Sequence, residues 1–434
     1  MEGQSLDDYL NVTSRERQLL NLFWFGFILY TLSYTLSTTQ SVNFIVCQSL
    51  QLVGIFIFII SSAFLIKIRF QNNYLKVLYP LYLIWLVVVI VRGISFEYDF
   101  IKIMLFDAWY GIFIYFVPII LLFPKKLYYF KKLLDVIVIL GVFYVIYDIL
   151  FLEDLIRYGA SLKSQGIVEQ FSKTLSAPCL FIILTYKYQS RRRNILIFSI
   201  VILTILFAII RARRGLLLMF LIPFVFGYIL YISEKGNKIL TILISLVTAA
   251  FLALITIGFL DLGKSSLFNQ IEDRGLEDTR SNVELCFYTD MGFTDWIIGK
   301  GMNGEYFCPG IDPDTLMGYN YRGVIETDYL QSILMGGGIA LGLFLMIAIP
   351  AIFKGLLYSN NLLSKAAGIW ILWFLINMYP STMHTFSLQY MLVWISVGIC
   401  YSKTIRAIPE SILVDYFRGY KNTPEIAEDI QNQT

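Results

Sequence analysis

Three arginines fall within five residues at Arg211-Ala212-Arg213-Arg214-Gly215. A guanidinium is planar, permanently charged and able to grip phosphate oxygens in a bidentate way. Such a cluster suits a phosphate or pyrophosphate held at a membrane surface. The same residues at the end of an apolar run also reach toward anionic head groups. A second concentration of chemistry lies in residues 261–328, with 13 acidic residues against five basic ones. Arg274, Arg280 and Arg322 are its guanidinium candidates. Glu272, Asp273, Glu277, Asp278, Glu284, Glu326 and Asp328 are the nearby carboxylates. Carboxylates mixed with guanidinium groups suit a transfer reaction in which one group takes a proton from an attacking hydroxyl. The other then stabilises a departing phosphate. Most carboxylates on an exposed loop are merely solvated. Glu326 and Asp328 stand apart because the chain re-enters an apolar run there, and charge at that depth is costly unless used.

Other chemistries find little support. His384, the single histidine, falls in a short turn after Pro380. Zinc-type spacing of His, Cys and carboxylates is absent, and no tight acidic cluster demands a divalent cation, so no metal is expected. No phosphate-binding glycine loop of the nucleotide type occurs, which argues against ATP-driven work, and no cofactor is expected. Cys286 and Cys308 lie in the long polar segment, where they can pair as a disulfide or stand as two thiols. Cys47, Cys179 and Cys400 fall in apolar runs and read as packing residues.

These groups must be positioned by a hydrophobic scaffold. Of 434 residues, 57% are hydrophobic and 15% charged, against roughly 25% charged in soluble proteins. The deficit is concentrated in apolar runs long enough to cross a hydrocarbon core of roughly 30 Å. Backbone in lipid must satisfy its own hydrogen bonds, so the runs are expected to be helices rather than barrel strands. Twelve spans are expected at about 19–37, 44–66, 76–94, 108–123, 133–151, 174–188, 195–210, 215–232, 239–260, 329–353, 366–380 and 387–402. Lys67, Arg69, Lys125, Lys126, Lys131, Lys132 and Arg191 to Arg193 gather in alternate loops, which places both termini in the cytoplasm. The arginine turn and residues 261–328 then lie outside, the first against the positive-inside trend. Segments 92–107 and 153–173 are mixed in charge and suit short interfacial helices. Gly336-Gly337-Gly338 opens a span where small residues allow close packing. The polar tail after Lys403 is expected to be mobile. No segment reads as a nucleic-acid-binding surface.

Taken in order, three stretches resemble a known family. They are Arg213-Arg214-Gly215-Leu216-Leu217, then Ile298-Gly299-Lys300-Gly301, then Thr327-Asp328-Tyr329-Leu330-Gln331-Ser332-Ile333-Leu334 followed by Gly338 and Gly342. The set is similar to the O-antigen polymerase/ligase superfamily over about residues 205–350. The resemblance implies an all-α polytopic protein of the GT-C-like type in the bacterial inner membrane, with one large periplasmic loop between spans nine and ten. It divides the chain into an N-terminal bundle (1–204), the polymerase/ligase-like core (205–350) and C-terminal helices with a tail (351–434). The implied activity joins undecaprenyl-pyrophosphate-linked repeat units into surface polysaccharide, alongside a flippase and a chain-length regulator. Arg214 matches the family arginine, whereas Arg213 stands where Ser is frequent. Ligases commonly carry His-Asn shortly before Tyr-Leu; Glu326-Thr327 stands here instead, which favours polymerase over ligase. The expected catalytic set is Arg211, Arg213, Arg214 and Glu326 or Asp328. Arg274, Arg280, Arg322, Tyr329 and Trp296 are expected to bind substrate. A flippase or transporter is the third reading, disfavoured because the halves do not correspond and polarity gathers outside the spans.

Overall fold

The structure, a computed structural model, describes residues 11–68, 70, 72–156, 162–211, 213–233, 279–309 and 320–420. Side chains of 156, 162–165, 233, 279 and 280 are outside the description. Helices dominate: α1 Ser14–Ser37, α2 Phe44–Leu65, α3 Asn73–Gly93, α4 Tyr98–Phe106, α5 Phe113–Phe116 continued by a 3₁₀ segment Val117–Leu122, and α6 Leu127–Leu150. There follow α7 Leu152–Ile156, α8 Leu162–Phe171, a π-helical turn Ser172–Ser176, α9 Cys179–Leu184, a 3₁₀ turn Tyr186–Tyr188, α10 Arg191–Ile210 and α11 Arg214–Ser233. Beyond residue 278 come α12 Thr279–Asp290, α13 Phe293–Ile298, a two-residue hairpin of β1 Tyr306–Phe307 and β2 Tyr321–Arg322, α14 Asp328–Leu357, α15 Leu362–Asn377, α16 Leu388–Tyr401, α17 Lys403–Ala407 and α18 Glu410–Arg418.

Among the described residues, seven helices are long and apolar enough to cross a membrane: α1, α2, α3, α6, α10, α11 and α14. The chain is a multi-pass membrane protein. Shorter apolar helices stand at Phe113–Leu122, Leu362–Asn377 and Leu388–Tyr401. The run expected as a single span at 174–188 is instead broken into the π turn, α9 and a 3₁₀ turn. Pro178, which lacks a backbone donor, sits at that break. The expected span 239–260 lies outside the described residues.

Three devices hold the bundle. At one end Thr13 and Glu16 form a reciprocal cap on α1, each side chain accepting from the other's backbone N–H at 3.2 and 3.1 Å. The Glu16 carboxylate also accepts from Lys126 Nζ at 2.6 Å and pairs with Lys67, so three chain segments meet on one anion. Between α1 and α2, a Cβ on Gly26 would lie 2.8 Å from Gly54 O, and one on Gly54 would lie 2.7 Å from Gly26 O. Only glycine lets the backbones approach so closely. Toward the other end, Phe386 plugs the bundle, with ring centroids 5.1 Å from Tyr30, 5.2 Å from Phe58 and 5.4 Å from Phe113. The turn between α15 and α16 is thereby drawn inward, and Phe386 N donates to Ala108 O at 2.6 Å.

The expected mobile tail forms two helices before the description ends. Ile412, Leu413 and Phe417 of α18 are buried. The Glu410 carboxylate accepts from Leu362 N at 2.6 Å and from the Tyr188 hydroxyl at 3.1 Å. An apolar stripe at helical spacing gave that segment a core to dock on.

Candidate functional site

The site begins at the first turn of α14. Asp328 is fully buried, and its own N–H donates to Met378 O at 2.8 Å, which fixes the helix start against the end of α15. Carboxylate Oδ2 accepts from His384 N at 3.1 Å and lies 2.6 Å from His384 Nδ1. The other oxygen, Oδ1, is buried without a hydrogen-bond partner. The imidazole is held edge-on by Phe344, Phe374 and Tyr390 at 5.4, 5.3 and 4.8 Å between centroids. A carboxylate on one ring nitrogen selects the tautomer that leaves the other nitrogen as an acceptor. That is the arrangement of a general base and its orienting group.

Both residues line a cavity of ≈ 80 Å³, measured as space open to the centre of a water-sized sphere. Its polar wall includes Trp109, Tyr110, Gln331 and Thr382, and its apolar wall includes Leu86, Leu341 and Phe344. Tyr110 reports which charges converge here. Burial raises its phenol well above the usual range, Asp107, Glu169 and Asp328 push it further, and Arg322 opposes them. Asp107 shapes the turn that presents these aromatics by accepting from Trp109 N at 2.6 Å and Tyr110 N at 3.1 Å. Burial raises the Asp107 carboxyl, and the two backbone N–H donors pull it back.

From the cavity wall a chain of contacts leads to the arginine turn. Trp109 Nε1 donates to Gln170 at 2.9 Å, and the Lys173 ammonium lies 4.7 Å from the Trp109 ring centroid. Lys173 pairs with Glu169 at 2.7 Å, and the same carboxylate reaches Arg213 at 3.5 Å. The π turn widens the helix directly after Phe171, and such turns recur at functional positions.

Glycines stage the whole assembly. Gly299, Gly301 and Gly337 adopt positive φ of 69°, 92° and 68°. A Cβ on Gly337 would sit 2.1 Å from Ile297 O, and one on Gly299 2.5 Å from Met335 O. The two glycine runs therefore lock together backbone to backbone. Lys300 N and Gly301 N donate to Leu334 O and Met335 O at 2.7 and 2.9 Å, and Arg92 clasps Ile298 O and Gly299 O at 2.6 and 2.8 Å. The run packs closely on α3 at Gly336, where a Cβ would lie 3.2 Å from Val89 Cγ2, and at Gly337 it also kinks α14 to admit a loop. The segment is closed by the Cys286–Cys308 disulfide, with Cα atoms 5.2 Å apart, and by Thr327 donating to Glu284 at 2.6 Å. Phe287, Tyr306, Ile325 and Leu334 give it a small core of its own.

The residues singled out by sequence separate into groups. Asp328 lines the cavity, and Arg213 ends the chain of contacts that leaves the cavity wall at Trp109. Arg214 is exposed at the start of α11. Arg211 is buried, its guanidinium donating to Leu155 O at 2.8 Å and Asp154 O at 2.7 Å, so it clamps α7 to the turn. Glu326 is exposed. Arg322 donates to Val324 O at 3.0 Å. Tyr329 donates to Leu375 O at 2.6 Å, tying α14 to α15. Trp296 stacks on Tyr288 at 6.1 Å and packs edge-on to Phe287 at 5.5 Å. Arg274 lies outside the described residues, as does the side chain of Arg280. Sequence reasoning passed over His384, Glu169 and Lys173. Glu169 and Lys173 carried the signal of an i,i+4 pair, and His384 that of a lone imidazole between two apolar runs. Among the described residues no group of three His, Cys, Asp or Glu side chains could hold a metal. Comparison of the chain with protein-family models, curated proteins and solved structures finds no match to any of them.

Proposed function

We propose that the chain is a polysaccharide polymerase of the GT-C-like type in the bacterial inner membrane, with the α12–α13 segment and the arginine turn outside and both termini in the cytoplasm. Its donor is an oligosaccharide on undecaprenyl pyrophosphate, and its acceptor is a sugar hydroxyl of a second lipid-linked unit. The carrying observation is the buried Asp328–His384 pair opening on a cavity whose wall leads through Lys173 and Glu169 to Arg213.

In this reading Asp328 orients the imidazole and His384 takes the proton from the acceptor hydroxyl, so the base is not Asp328 or Glu326 themselves. The acceptor oxygen bonds to the donor's anomeric carbon, and the bond from that carbon to the pyrophosphate oxygen breaks. Arg213, Arg214 and Lys173 stabilise the charge growing on the departing pyrophosphate. The leaving group supplies the driving force, so no nucleotide is required. Arg211 acts through the backbone it holds. Trp109 and Tyr110 offer ring faces for stacking on sugar. A flippase supplies the donor and a chain-length regulator acts on the product.

A second reading, a ligase that passes glycan to a lipid or protein acceptor, gains from one observation. The histidine missing beside Tyr329 is supplied in space by His384. Gel analysis of a strain lacking the gene separates the two: a polymerase null leaves single repeat units attached, and a ligase null leaves none. Complementation with Arg214→Ala is expected to leave only short glycans. Full-length polysaccharide at normal protein level overturns the proposed role of the arginine turn.

A further inference from the structure

A second buried polar cluster lies beyond the cavity, where the π turn packs between α6 and α10. Asp148, near the end of α6, is 3% exposed, and both its carboxylate oxygens are without a hydrogen-bond partner. No other carboxylate among the described residues has both oxygens in that condition. Among the described residues no Lys or Arg acts on it, and the Tyr144 hydroxyl is its polar neighbour. Tyr144 in turn neighbours Ser172 and Thr204. The Ser172 hydroxyl, 1% exposed, is likewise without a hydrogen-bond partner, while Thr204 meets Ser176 at 2.6 Å. Four oxygen-bearing side chains from three chain segments thus gather around the Tyr144 hydroxyl.

An ionised carboxylate held inside a membrane protein is costly unless a counter-charge neutralises it. Donors that are all oxygen, one anionic and the rest hydroxyl, favour a hard cation over a soft one. A single negative charge balances a single positive one. The geometry points to a monovalent cation site, of the sodium type, formed by Asp148, Tyr144, Ser172 and Thr204. The π turn brings Ser172 to this cluster while its neighbour Lys173 faces Trp109. A cation bound to Ser172 therefore steadies the turn that presents Lys173.

The site is tested on the purified full chain in lipid discs, with sodium chloride exchanged for N-methyl-D-glucamine chloride at constant ionic strength and pH. Sodium is expected to raise the unfolding temperature of the wild type in a saturable way, as any ligand specific to the folded state does. Asp148→Asn, which keeps the shape and removes the charge, is expected to fold in the absence of sodium and to lose the response. Ser172→Ala is expected to keep the response with its midpoint moved several-fold to higher sodium. A wild type indifferent to sodium whose stability follows pH alone assigns the site to a proton and overturns the inference. An unchanged sodium response in Asp148→Asn does so too.

Discussion

Replacing Asp328 by Asn isolates the charge that orients His384. Asp328 is fully buried and takes two bonds from His384, from the ring at 2.6 Å and the backbone at 3.1 Å. Asparagine has the same shape and can still accept the backbone bond, so the turn is expected to stay in place. What is lost is the anion facing an imidazole that becomes positive as it takes the proton. A hydrogen bond to a charged group contributes about 1.5–3 kcal/mol, and about 1.36 kcal/mol is tenfold in rate. Asp328→Asn is therefore expected to slow transfer roughly 10- to 150-fold. His384→Ala removes the proton acceptor and is expected to cost about 10²–10⁴. Because the two residues act as a unit, the double variant is expected to be no slower than His384→Ala alone. The assay is the initial rate of chain extension by purified protein on lipid-linked single repeat units, with folding verified by size-exclusion profile. Wild-type rates in both single variants refute the assignment of this pair as base and orienting group.

Three further outcomes follow from the packing. Gly337→Ala places a Cβ 2.1 Å from Ile297 O at a φ of 68°, and is expected to cost more than about 2 kcal/mol, read as a lower unfolding temperature and reduced yield. Cys286→Ser removes a bridge spanning 22 residues and is expected to destabilise the segment by about 3 kcal/mol, seen as faster proteolysis within α12 that reductant no longer accelerates. Lys125, between the 3₁₀ segment and α6, has its ammonium pushed down to about 8 from 10.5 by burial. The folded chain therefore binds this proton less tightly than the unfolded one, so wild-type stability is expected to rise with pH between those values. Lys125→Met is expected to remove that rise and to be more stable than wild type below pH 8.

The scaffold was legible where apolar length alone decides. The seven long helices follow the expected runs because a span needs only length and the absence of charge. The run at 174–188 misled for a definite reason: its composition is apolar, but Pro178 and the Ser172–Ser176 turn break the hydrogen-bond ladder. Asp328 was visible as a charge at the edge of an apolar run. His384 was not visible as its partner. Their contact spans 56 residues and depends on Phe386 seating among Tyr30, Phe58 and Phe113, which no local pattern announces. Gly299 and Gly337 were each noticed, yet their mutual lock is a backbone-to-backbone event between distant segments. Cys286 and Cys308 left pairing open in sequence, and the hairpin closing onto α12 brings them together.

The most direct measurement follows both products of one reaction. Purified protein in lipid discs, given only undecaprenyl-pyrophosphate-linked single repeat units, is predicted to yield lipid-linked chains of two and more units. One free undecaprenyl pyrophosphate should appear for each new linkage, with no nucleotide added. Intact single units after incubation with folded protein, or units moved across the bilayer without any linkage formed, contradict the account.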